Sequence, residues 1–121
     1  MILTKAEENL MRHLWTIKKG TVKDIIALYK DSKPATTTIL TLLKRLTEKK
    51  FVAYDEESRF RMYYPLIGKE KYFMNNMKEL VKNFFGDSPK QFASFYAEKA
   101  DLSKEDLESI KAIINSKIEE K

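Results

Sequence analysis

Cysteine is absent from all 121 residues, which excludes disulfides and thiolate metal centres. Glycine and proline are scarce, at three each, and the hydrophobic content is 43%, so the chain reads as folded and helix-rich rather than disordered. No apolar run approaches the length of a membrane span and no signal peptide opens the chain; the expectation is a cytoplasmic protein with no membrane insertion. The only histidine, His13, has no ligand or triad partner in sequence and reads as a packing or partly exposed residue. A glycine-rich phosphate loop, a nucleophile elbow and a metal-ligand cluster are all missing. The expectation is therefore no enzyme, no cofactor and no metal. Glu105, Asp106 and Glu108 stand at a helix start, where acids suit the helix dipole.

What is present is unevenly charged. Residues 1–67 hold 13 Lys/Arg against 8 Asp/Glu, a net of +5, whereas residues 68–121 hold ten of each. A basic excess confined to one half is what phosphate binding needs, although many soluble domains carry as much.

That basic half contains the most informative stretch, Thr36 to Phe51, which reads as a helix with two faces. Ile39, Leu42, Leu43 and Leu46 follow the i, i+3, i+4, i+7 rule and face a core. Thr37, Thr41 and Lys44 fall opposite, with Thr38 and Arg45 on the flank. Threonine is a weak helix former, and a solvated face normally carries Glu/Lys pairs. Here the first two turns carry hydroxyls and no acid. Short polar side chains allow close approach to a phosphate or base edge, and Lys and Arg supply charge one or two turns later. The pattern is that of a helix-turn-helix recognition helix; an ordinary core helix with a threonine-rich exterior has the same spacing.

Before this stretch, Thr4 and Glu7 form a capping box, and Ala6, Leu10, Leu14 and Ile17, broadened by Met11 and Trp15, make an apolar stripe. Gly20 suits the left-handed position that ends this helix. Thr21 and Asp24 start a second helix with Val22, Ile25, Ile26 and Tyr29 as its apolar face, and Pro34 helps to break it. After the third helix the period changes to two. Phe51–Tyr54 and Phe60–Tyr64 read as strands, joined by a loop over residues 55–59. A hairpin directly after a recognition helix is a wing.

From Gly68 the chain is helical again, with apolar residues Phe73, Met77, Leu80, Val81 and Phe84, then Phe92, Phe95 and Tyr96 after Pro89. A last helix, capped by Ser103 and Asp106, carries Leu107, Ile110, Ile114 and Ile118. Three such helices bury little alone. Either a second copy covers them or they fold back on the winged helix; two-fold pairing is the economical solution. The expected architecture is mainly α: a winged helix-turn-helix of three helices plus a β-hairpin over residues 1–67, and a helical dimerisation region over residues 68–121.

These blocks resemble the penicillinase-repressor family of winged-helix regulators over almost the whole chain. Leu3-Thr4-Lys5-Ala6-Glu7 is similar to the family's opening LTxAE, and Leu14-Trp15 and Thr21–Ile25 fit the next two blocks. Thr37–Leu46 is similar to its recognition helix TTVxTLLxRL, and Arg59 with Tyr63-Tyr64-Pro65 falls where its wing has GRxxxYxP. Leu80-Val81, Phe84-Phe85-Gly86, Leu102-Ser103 and Glu105 repeat its C-terminal pattern. The resemblance implies a homodimeric repressor on a palindromic double-stranded DNA operator. In the antibiotic-sensing branch it also implies a membrane receptor-protease as partner and a cut aligned with Phe95-Tyr96. Departures are visible. Lys50 and Ser58 stand where the family has glycine, and Asp55, Glu56 and Glu57 make an acidic wing tip. The asparagine typical of the cut bond is missing, and without cysteine the copper-sensing mechanism does not apply.

The expected DNA contacts are Thr36, Thr37, Thr38, Thr41, Lys44, Arg45, Arg59 and Arg61, with Arg45 either on phosphate or paired to Glu48. The expected dimer contacts are Phe73, Met77, Leu80, Phe84, Leu107, Ile110 and Ile114. The competing reading is a winged helix used for protein contact without specific DNA binding.

Overall fold

The computed structural model describes residues 2–121. Their elements run α1 (Lys5–Ile17), α2 (Val22–Ala27), α3 (Thr36–Glu48), β1 (Val52–Glu57), β2 (Phe60–Pro65), α4 (Lys69–Phe84), α5 (Pro89–Lys99) and α6 (Lys104–Glu120). This is mainly helix, with one antiparallel hairpin after three helices: a winged helix followed by C-terminal helices. The chain divides into two units, one ending at Asn76 and the other spanning Met77–Lys121.

The first unit is built on its own core. Leu10, Met11 and Leu14 of α1, Ile25 of α2, and Ile39, Leu42, Leu43 and Leu46 of α3 are buried together with Phe51, Val52 and Tyr63 of the wing. Each fully buried aliphatic side chain contributes about 1.5–3 kcal/mol, so these residues hold the three helices and the hairpin as one body. Ala6, expected in the stripe, is exposed, and Glu7 takes the buried place instead. Its carboxylate accepts from the Thr4 amide at 2.9 Å, completing the capping box, and binds Lys49 Nζ with both oxygens at 2.8 Å. One acid thus starts α1 and ties it to the end of α3. Burial pushes the Glu7 carboxyl up, but hydrogen bonds from Lys49 and Thr4 outweigh it and hold the group below its usual value.

The start of α4 belongs to this unit. Tyr72 is buried; its hydroxyl accepts from the Leu3 amide and donates to Glu8, each at 3.0 Å, and its ring lies 5.8 Å from both Trp15 and Phe51. Trp15 Nε1 donates to the Ile67 carbonyl at 2.8 Å.

Three local expectations are corrected. First, Gly20 does not hold the left-handed position; Lys18 does, at φ 72°. Gly20 instead pairs with Tyr63, through hydrogen bonds of 3.0 and 2.8 Å, and a Cβ on it would lie 3.1 Å from that of Asp24. That Cβ would also lie 2.6 Å from the Ile17 side chain, so the missing side chain lets the end of α1 and the start of α2 close on this connection. Second, α3 stops at Glu48. Lys50 turns left-handed at φ 65°, its amide bonds the Thr47 carbonyl, and the Phe51 amide bonds the Leu46 carbonyl at 2.9 Å. This is a Schellman stop with lysine in the glycine place. Third, the strands reach further than expected: Glu57 pairs with Phe60, so the turn is only Ser58-Arg59, with Ser58 at φ 58°.

In the second unit, Ser88 caps α5 through the Gln91 amide, and the Ser103–Asp106 box caps α6. Phe85 packs its ring on Phe92 and Phe95 at 5.6 and 5.2 Å, and Phe92 stacks on Tyr96 at 6.2 Å. None of residues 77–121 is fully buried.

Candidate nucleic-acid interface

The outward face of α3 is presented by the packing of its inner face. With Ile39, Leu42, Leu43 and Leu46 in the core, Thr36, Thr37, Thr38, Thr41, Lys44 and Arg45 are all exposed. No side chain caps α3. The Ala35 carbonyl accepts from the Thr38 and Ile39 amides, and no partner for the Thr36 and Thr37 amides is present among the described residues. The first turn contains no acid, so the positive end of the helix dipole is uncompensated by the protein. A phosphate suits that position. Thr41 Oγ1 donates to the Thr37 carbonyl at 2.9 Å, so its proton is already engaged within the helix.

The cations differ in their freedom. Among the described residues, Lys44, Arg45 and Arg59 have no carboxylate within ion-pair distance, and the pairing of Arg45 with Glu48 is not formed. Arg59 stands in the hairpin turn. Arg61 lies over the Tyr54 ring at 4.3 Å and reaches Glu56 at 3.9 Å, so it is already engaged.

The acidic wing is also changed by the fold. Asp55, Glu56 and Glu57 lie in β1 rather than in a loose tip. Lys19, from the connection after α1, meets Asp55 and Glu57 at 3.0 Å each. Donating to these two carboxylates holds the Lys19 ammonium above its usual pKa, so it stays charged. The single Lys19 charge offsets one of the two carboxylates it meets, which weakens the repulsion that an acidic wing exerts on phosphate. No local signal in sequence joins Lys19 to residues 36 and 38 positions away.

His13 packs against Tyr29 at 4.4 Å, and burial lowers its pKa, so it is a neutral packing group near neutral pH. Among the described residues, no three His, Asp or Glu side chains gather as a metal site, and no helix is long and apolar enough to cross a membrane. Of the expected dimer residues, Phe73, Leu80, Phe84, Leu107, Ile110 and Ile114 are exposed, and Met77 is half-buried. Phe95 and Tyr96 lie inside α5.

The methicillin resistance regulatory protein MecI of Staphylococcus aureus strain N315 is 26% identical over 118 residues, covering 95% of this chain and 94% of that protein. MecI of Mammaliicoccus sciuri is 25% identical with the same coverage. The solved CopR repressor aligns at 29% identity with a TM-score of 0.47, over 55% of this chain and 99% of that one. A family model described as penicillinase repressor matches residues 3–116, nearly the whole chain. With three helices, a wing and a threonine/lysine face in place, this chain belongs to the penicillinase-repressor family of DNA-binding transcriptional repressors.

Proposed function

We propose that the chain acts as a homodimer that represses transcription by occupying a palindromic operator, without catalysis and without a cofactor. The observation that carries the reading is the outer face of α3: exposed hydroxyls, two free amides at an uncapped N-terminus, and two unpaired cations. Thr36, Thr37, Thr38 and Thr41 enter the major groove, while Lys44, Arg45 and Arg59 neutralise phosphates. Arg61 contributes least, because it must first leave Glu56 and Tyr54.

Dimerisation uses α4 and α6. The support is exposed apolar surface, with Phe84 at 73% and Ile114 at 52% accessible. Faces of this kind left in water invite aggregation, and a second copy covers them. Two winged helices tied together bind one palindrome far more tightly than either alone, since the second contact is intramolecular. Induction by a membrane receptor-protease, with a cut at Phe95-Tyr96, would separate α6 from the winged helix and release DNA. Such a cut requires α5 to open first, because that bond lies within a helix and proteases bind extended chain.

The test is a gel shift of the full chain with its own upstream DNA over a range of salt. A retarded complex is expected, and alanine at Lys44, Arg45 or Arg59 should each lower the salt slope by about one unit. No complex at low salt would favour a protein-contact module instead. Slopes unchanged in all three variants would overturn the phosphate roles.

A further inference from the structure

One apolar side chain of α3 is not used by the core. Ile39, Leu42, Leu43 and Leu46 are nearly inaccessible, whereas Leu40 is 44% exposed. A single exposed leucine is ordinary on a protein surface. Leu40 is set apart by its neighbours. At i and i+4 spacing, Thr36, Leu40 and Lys44 form one row along the outer face, with Thr37 and Thr41 in the next. Leu40 therefore lies midway between the uncapped helix start and the first unpaired cation. The hydroxyl beside it is also spoken for: Thr41 Oγ1 donates to the Thr37 carbonyl at 2.9 Å. Thr41 is left with its methyl and a lone pair to offer a base. The middle of the face is thus apolar, between polar ends.

In the major groove only thymine presents an apolar group, its C5-methyl. We infer that Leu40 is a specificity-determining residue that reads thymine methyl groups, so that the middle of the recognition helix selects by apolar contact rather than by hydrogen bonding. The inference rests on the proposal that α3 enters the major groove, and it adds which base the helix selects and which side chain selects it. The same geometry explains why a leucine is tolerated on a face whose other residues are polar or basic. It would otherwise be water-exposed, and in the groove it is covered by a methyl of matching chemistry.

The experiment uses the full-length chain and a duplex enriched by that chain from random-sequence DNA. Each thymine of the enriched site is replaced singly by deoxyuridine, which removes only the C5-methyl. For the unmodified protein, one thymine in each half-site should be sensitive, with affinity falling about fourfold, the equivalent of burying one methylene. L40A should bind the parent duplex more weakly and be indifferent to deoxyuridine at that same position. L40M, close to leucine in volume, should retain part of the sensitivity. Circular dichroism and melting of both variants check that α3 is intact, and the deoxyuridine scan of the unmodified protein does not depend on either variant. A protein indifferent to every deoxyuridine overturns the inference. So does an L40A variant that keeps the full sensitivity, which would give the methyl contact to a threonine. Failure to enrich any sequence overturns the DNA-binding reading itself, and this inference with it.

Discussion

α3 and α6 carry the same kind of apolar stripe, yet they end in opposite circumstances. In α3, Ile39, Leu42, Leu43 and Leu46 are buried by α1, α2 and the wing; in α6, Ile110, Ile113, Ile114 and Ile118 remain accessible and no residue is buried. An amphipathic period says that a face will be covered, and it does not say by what. In the first unit the cover comes from the same chain, through contacts such as Trp15 to Ile67 and Tyr72 to Leu3. In the second unit the chain supplies ring contacts among Phe85, Phe92, Phe95 and Tyr96 and buries no residue fully. The first is a finished fold, and the second presents the surface that the proposed dimer would cover.

Placing one charge in each stripe breaks or sharpens this contrast most strongly. Ile39→Lys puts an unpaired ammonium in the core and should cost at least about 4 kcal/mol, most of what a small domain possesses. Ile114→Lys should leave the circular dichroism of the winged helix unchanged. It should instead shift the chain to monomer in sedimentation and lower operator affinity by about 100-fold or more. An Ile114→Lys chain that still dimerises, or that unfolds the winged helix, would remove the distinction.

Within the finished fold, the Glu7–Lys49 pair gives the next largest effect, and an asymmetric one. Glu7 is fully buried while Lys49 is 31% exposed at its side chain. Lys49→Met strands a buried carboxylate and should cost about 3–5 kcal/mol in denaturant titration. Glu7→Gln keeps an acceptor for the Thr4 amide and lets Lys49 turn to water, so about 1–2 kcal/mol is expected. The pH dependence separates them further. Glu7 titrates below its usual 4.5 in the fold, so its contribution is complete above that value and is lost as pH falls through the lower folded value. His13 behaves in the same direction from 6.5 downward, since burial disfavours its charged form. In Lys49→Met the unpaired Glu7 carboxyl is pushed up instead, so acidification relieves its penalty. The stability gap to the unmodified chain should start to narrow above pH 4.5, where the raised carboxyl protonates, and narrow further below it as the unmodified chain loses its own Glu7 contribution. A gap that stays constant or widens would remove the buried pair from the account.

The smallest effect is a gain. Lys50 holds the left-handed stop of α3 at φ 65° with a side chain that penalises it. Lys50→Gly should stabilise the winged helix by about 0.5–1 kcal/mol, and Lys50→Ala, which keeps the Cβ, should not. Equal midpoints for both variants in urea would show that the stop is not strained.

Interactions that span three or four residues are legible in the sequence itself. The Thr4–Glu7, Thr21–Asp24 and Ser103–Asp106 caps, the inner stripe of α3 and the change of period at the wing all follow from spacing along the chain. Such signals are local because one helical turn brings i and i+4 together whatever the rest of the chain does. Glycine is the misleading cue: Gly20 suggests a left-handed helix end, whereas Lys18 takes the positive φ and Gly20 is needed where the side chains of Ile17 and Asp24 close in. Likewise Ser58 and Lys50, departures from a glycine pattern, adopt the very φ that glycine favours, because the surrounding hairpin and Schellman bonds impose it. Only the tertiary structure decided that Glu7 would meet Lys49, that Lys19 would quiet the acidic wing, that Tyr72 would join α4 to α1, and that Leu40 would face outward. The pairings among these lie 36 to 64 residues apart, so the choice of partner depends on how helices and hairpin pack, which the local period does not specify.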